Sequence, residues 1–173
     1  MIEYSKDVTE ADKLQVLSTL KKIPSWIIDN CRLHMAWAGK KSPFLYVVNE
    51  ANQADIFNHP IMEKFADKTQ LLMGAYNHWE GAAIVNIAGV DHQSDTLLHE
   101  IGHLVDCWLL AGVYVDGYTK ASETFAWRGL CRRAGRKDHD EYFAESFAAL
   151  YGGGGGVSEE IKTFFNDTKK MFG

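Results

Sequence analysis

The chain has 173 residues, 46% hydrophobic and 24% charged, which suits one domain spanning residues 1–173 and is short for two. A net charge of −5 provides no broad basic surface for phosphate backbones, which argues against nucleic acid as the main partner. Three widely separated cysteines, Cys31, Cys107 and Cys131, argue against a disulfide framework or a paired-cysteine metal clip and read as buried free thiols.

The opening residues, MIEYSKDVTEADKLQV, have neither a basic start nor an apolar run. A monomer with no membrane partner is expected, either cytoplasmic or exported by a route that needs no signal peptide. Thr9 can cap a helix over residues 10–22, with Leu14, Val16, Leu17 and Leu20 as its apolar stripe, and Pro24 opens a second short helix through Cys31. "LHMAWA" and "FLYVV" flank a Gly-Lys-Lys-Ser turn and read as strands from their aromatic and branched residues. A polar helical stretch follows at residues 61–68. "LLMGAYNHW" and "AAIVNIAG" then read as two more strands joined through Glu80-Gly81.

From residue 94 the pattern is helical. Ser94 and Asp95 can cap a helix on which Leu97, Ile101, Leu104, Val105 and Trp108 recur at helical spacing, and Gly102 allows a close approach. Another helix is expected over Ala121 to Arg133 with a left-handed stop at Gly135, and Asp138 can cap "HDEYFAESFAALY". The glycine run 152–156 reads as a connector to the last amphipathic helix, "SEEIKTFFNDTKKMF". These elements make an α+β fold: an N-terminal helical segment, a small, mostly antiparallel sheet of about four strands, and a helical C-terminal half.

"TLLHEIGHLVD" carries the chemistry. His99 and His103 lie four apart on one helix, so both imidazoles project to the same side and can grip one zinc ion. Glu100, beside His99, suits the general base that takes a proton from water. The plain alternative is two histidines satisfied by hydrogen bonds in a core. A third ligand is needed, and Glu123 lies twenty positions after His103. Glu141 and Glu145 lie one turn apart, so one can bind metal while the other orients a ligand histidine. Asp106 can orient His99 or bond a loop. His34, His59, His78, His92 and His139 have no ligand spacing and read as ordinary surface or core residues, with His139 set apart because it is two residues from Glu141, and the tryptophans Trp26, Trp37, Trp79, Trp108 and Trp127 read as core.

With "LLHEIGHLVD", "EYFAESFA" and a closing helix in place, residues 94–171 resemble the zinc metallopeptidase domain of anthrax lethal factor and its smaller clostridial relatives, the Pro-Pro endopeptidases. The resemblance implies a zincin-like fold and zinc ligands at His99, His103 and Glu141. It also implies Glu100 as base and Glu145 as support behind the ligands. In that family a tyrosine seven positions before the third ligand stabilises the oxyanion; here Ala134 stands in its place, with Tyr114, Tyr118 and Tyr142 as substitutes to consider.

The expected function is a zinc-dependent endopeptidase acting on a protein or peptide, with Zn2+ as cofactor. As in other zincins, an extended substrate is expected along an edge strand, read here as Ala83, Val85 and Ile87. Two alternatives accompany it: a phage or regulatory peptidase that cleaves a repressor, and a zinc-binding domain with impaired hydrolysis that serves in interactions.

Overall fold

A computed structural model describes residues 2–40, 44–49, 73–77, 81–88, 93–111, 113, 119–153 and 155–172. The expected helical stretch 61–68, together with His59, His78, His92, Trp79, Tyr114 and Tyr118, lies outside them. The described elements are β1 (Ile2–Tyr4), α1 (Glu10–Leu20), α2 (Ser25–Trp37), β2 (Leu45–Val48), β3 (Gly74–Asn77), β4 (Ala82–Asn86), α3 (Gln93–Trp108), a 3-10 turn (Ala121–Glu123), α4 (Phe125–Ala134), α5 (His139–Gly152) and α6 (Glu159–Lys170). The fold is mixed α+β, and no helix among the described residues is long and apolar enough to cross a membrane.

The sheet has the order β1-β2-β4-β3. Among the described strands its pairing corrects the expectation of a mostly antiparallel sheet: β1–β2 and β2–β4 are parallel, and β3–β4 is antiparallel. Chain connection explains the difference. Two helices separate β1 from β2, a crossover long enough to make the strands parallel, whereas only residues 78–81 separate β3 from β4. Gly81, which leads into β4, has a φ of 67° that suits glycine, and its N–H donates to the Asn77 carbonyl at 2.9 Å.

The residues "LHMAWA" are not a strand. They complete α2, because Ile27, Cys31, His34 and Met35 recur at helical spacing and form its buried face. The fourth strand is instead β1, three residues paired with β2 in register Ile2↔Leu45. On α1, a capping box joins Thr9 and Asp12, but the buried face centres on Val16 and Thr19; Leu14 is 68% exposed and Leu17 also faces outward. The helix expected from Ala121 breaks at Thr124, whose hydroxyl accepts from the Trp127 N–H and so caps α4; the left-handed stop at Gly135 is present.

One hydrophobic cluster holds the elements together. Strand β4 is buried along its whole length, as a central strand with both faces covered must be. Helix α3 lies against β3 and β4 and also contacts α1, α2 and α5, burying Leu97, Ile101, Leu104, Val105 and Trp108 as the spacing predicts. The C-terminal helices close over an aromatic group in which Trp127 meets Phe143 and Phe164 edge-on at 4.9 and 5.0 Å. Trp108 and Trp127 are core residues, whereas Trp37 is 68% exposed at the end of α2. Cys31, Cys107 and Cys131 are buried and form no disulfide.

Candidate metal centre

Helix α3 carries His99 and His103 one turn apart, with their Nε2 atoms 3.1 Å apart and their rings nearly perpendicular. Helix α5 runs antiparallel to α3, and its first turn brings Glu141 to the pair. Glu141 Oε2 lies 3.3 Å from His99 Nε2, and its Oε1 lies 3.5 Å from His103 Nε2.

Helix packing makes this meeting possible. A Cβ added at Gly102 would lie 2.8 Å from Ala144 Cα, so the two helix backbones touch between the histidines and the glutamate helix. Ala144 is three residues after Glu141, which puts both on the α5 face that looks at α3. Glu123 is exposed on the 3-10 turn and does not join the group; one donor atom each from His99, His103 and Glu141 lies within 4.8 Å of the others.

The donor set fits a divalent zinc ion. Tetrahedral zinc with ligand bonds of about 2.0–2.1 Å spaces its donors about 3.3 Å apart; the two imidazole nitrogens stand 3.1 Å apart, and Glu141 approaches them through different oxygens, at 3.3 and 3.5 Å. Burial, then the neighbouring His99, pushes His103 down to about 4, so at neutral pH it is the neutral imidazole that a metal requires.

Glu100 packs against Gly74 of β3 and is 7% exposed. Gly74 in β3 makes room for it: a Cβ there would lie 2.6 Å from Glu100 Cγ. Burial first, and the Glu141 carboxylate second, push the Glu100 carboxyl up to about 8. A carboxyl poised near neutrality can both take and return a proton.

Two expected supporting residues have other partners. Asp106 is 1% exposed, but it accepts hydrogen bonds from the Ser122 N–H at 2.6 Å and the Ser122 hydroxyl at 2.8 Å. It ties the 3-10 turn to α3 rather than orienting His99, because the C-terminal half of α3 faces that turn. Glu145 is paired with Arg136, whose Nη1 donates to its Oε2 at 2.7 Å, and not with a ligand histidine. It still borders the centre: Asp95, Thr96, His99, Glu145, Ala148 and Ala149 line a groove of about 450 Å³.

The expected substrate edge is also corrected. Ala83 and Val85 lie in β4, which is bonded to β2 on one side and β3 on the other, and the Ile87 N–H donates to the Val48 carbonyl at 2.9 Å. Among the described strands, the edge next to Glu100 is β3. The exposed Ala134 ends α4, and the Tyr142 ring lies against Trp127 at 5.6 Å and under the Arg136 guanidinium at 4.8 Å.

Gly74 and Arg136 were missed by sequence reasoning. The glycine inside a strand pattern was a usable signal for a close approach. Arg136 sits in the charged connector "RKDHDE", where nothing local singles it out. No family model matches the chain, and no curated protein matches its sequence.

Proposed function

We propose that the chain is a zinc-dependent endopeptidase hydrolysing a protein or peptide substrate. One observation carries the reading: His99, His103 and Glu141 converge from two helices, while Glu100, next to His99 in the chain, holds a buried carboxyl against β3 that feels the Glu141 charge. When bound, zinc supplies Lewis acidity and lowers the pKa of water towards about 7. Glu100 accepts the proton of the attacking water and returns it to the leaving amine. An extended substrate adds alongside β3, where main-chain hydrogen bonds supply affinity and Gly74 keeps the base within reach.

A second reading, a metal-binding domain with impaired hydrolysis, rests on Ala134. In the resembled family a tyrosine at that place stabilises the oxyanion, and losing such a donor costs about 100- to 1000-fold in turnover.

Metal content and cleavage of a peptide library, measured together on this chain and on Glu100→Ala, test both readings. One zinc per molecule in both proteins, with cleavage by the native chain alone, is the expected result. Zinc without cleavage in either favours the second reading and makes Ala134→Tyr the next variant. Absence of zinc binding returns the two histidines to the core. The preferred cleavage sequence separates a general endopeptidase from a repressor-cleaving one.

A further inference from the structure

Asp138 stands at the N-cap of α5 yet makes no side-chain cap bond, whereas Thr9, Thr124 and Ser158 each cap their helix through a side-chain oxygen. Both its carboxylate oxygens are taken by Arg136: Nε donates to Oδ1 at 2.8 Å and Nη2 to Oδ2 at 2.6 Å. The remaining arm, Nη1, reaches Glu145 two turns along the helix at 2.7 Å, and the guanidinium lies 4.8 Å over the Tyr142 ring. Asp138, Glu141, Tyr142 and Glu145 are spaced i, i+3, i+4 and i+7, so the fork grips the stretch of helix that carries Glu141. The Arg136 backbone is fixed in turn by the end of α4, its N–H donating to the Cys131 carbonyl at 2.9 Å beyond the left-handed Gly135.

We infer that Arg136 is a positioning residue: it locks the first two turns of α5 to the end of α4 and so presents the Glu141 carboxylate to His99 and His103. This rests on the metal-centre reading. The first turn of α5 gives up an ordinary cap so that Asp138 can complete the fork, which fixes helix rotation in a way a cap does not. A planar fork with three donors in use is a task for arginine and not for lysine.

The test compares zinc dissociation constants, by competition with a chromogenic chelator, for the native chain, Arg136→Met and Asp138→Ser, with melting temperatures of the metal-free proteins. Both variants are expected to bind zinc at least about tenfold more weakly, the scale on which residues behind metal ligands act. Asp138→Ser is expected to melt no lower than the native chain, because serine restores a side-chain cap. Charge alone moves the two in opposite directions, since losing a cation strengthens zinc binding and losing an anion weakens it. Arg136→Met binding zinc as tightly as the native chain overturns the inference.

Glu141→Gln in the same assay separates the two levels: zinc loss there with native-like Arg136→Met leaves the metal centre standing and removes the clamp. If the native chain binds no zinc, the metal reading fails and amide exchange over residues 139–145 decides the clamp. Faster exchange in Arg136→Met supports it, and unchanged exchange overturns it.

Discussion

Gly102 and Ala144 bring α3 and α5 into backbone contact: a Cβ on Gly102 would sit 2.8 Å from Ala144 Cα and 3.1 Å from its carbonyl oxygen. The missing side chain sets the distance between the histidine helix and the glutamate helix. Both contacts of Glu141 with the histidines depend on that spacing.

Gly102→Ala is therefore expected to destabilise the protein even though alanine is the better helix former by about 1 kcal/mol. The obstacle is backbone, which cannot rotate away, and overpacking of this kind costs about 1–3 kcal/mol. Zinc affinity is expected to fall as well, because Glu141 is carried off with α5. Adding Ala144→Gly relieves only part of the loss, since Ala144 Cα and O remain in place. Thermal melting and zinc titration of the native chain and the two variants measure this; native values for Gly102→Ala would show that the helices can part without consequence.

Glu141 and Glu123 make an internal comparison, because both are exposed glutamates that follow His103 in sequence. Glu141→Gln is expected to lose zinc on dialysis against a weak chelator, whereas Glu123→Gln keeps the native stoichiometry. Each change removes one negative charge, so a difference between them reports direct ligation and not general electrostatics. Equal retention by the two variants counts against a carboxylate ligand on α5.

The histidine helix was legible because its pattern is local: leucines, isoleucine and valine at helical spacing bury themselves, and the two histidines follow from the same periodicity. Glu141 was favoured by the resemblance, but only the α3–α5 packing separates it from Glu123. One failure was local and the rest were not. "LHMAWA" has strand-like composition, yet Ile27, Cys31 and His34 already mark a helical face running through it. Three-residue β1 is a strand only because β2 lies beside it. Strand order, which moves the sheet edge from β4 to β3, depends on a parallel crossover that no single stretch of sequence announces. Asp106 finds its partner in Ser122, sixteen residues away on another element.

Gly74→Ala is expected to separate metal binding from turnover. The added Cβ would overlap Glu100 Cγ at 2.6 Å, so the buried Glu100 side chain must shift as a whole, at a cost in stability that thermal melting reads separately. A displacement of about 1 Å in a catalytic group costs on the order of 100-fold in rate. Zinc content at the native level with cleavage reduced on that scale is the expected outcome. Full activity would mean that the base does not work from the position beside β3.

Asp106 gives a pH signature whose sign can be worked out. Burial raises its carboxyl from 3.8 to about 6, the bonds from Ser122 opposing the shift in part. Between those values the folded chain holds a proton that the unfolded chain has released, so this contribution to stability is full below about 3.8 and lost as pH rises to about 6. It amounts to at most about 3 kcal/mol. His103, lowered to about 4, acts in the opposite direction between about 4 and 6.5, so the total slope is not the informative quantity. The informative quantity is the difference from Asp106→Asn, which keeps an acceptor for the Ser122 N–H but cannot ionise. Urea unfolding of the metal-free proteins at pH 4, 5, 6 and 7 is expected to show the native chain losing stability relative to the variant up to about pH 6 and running parallel to it above. Curves parallel throughout would mean that Asp106 is already ionised in the folded chain at pH 4, with the two Ser122 bonds outweighing its burial.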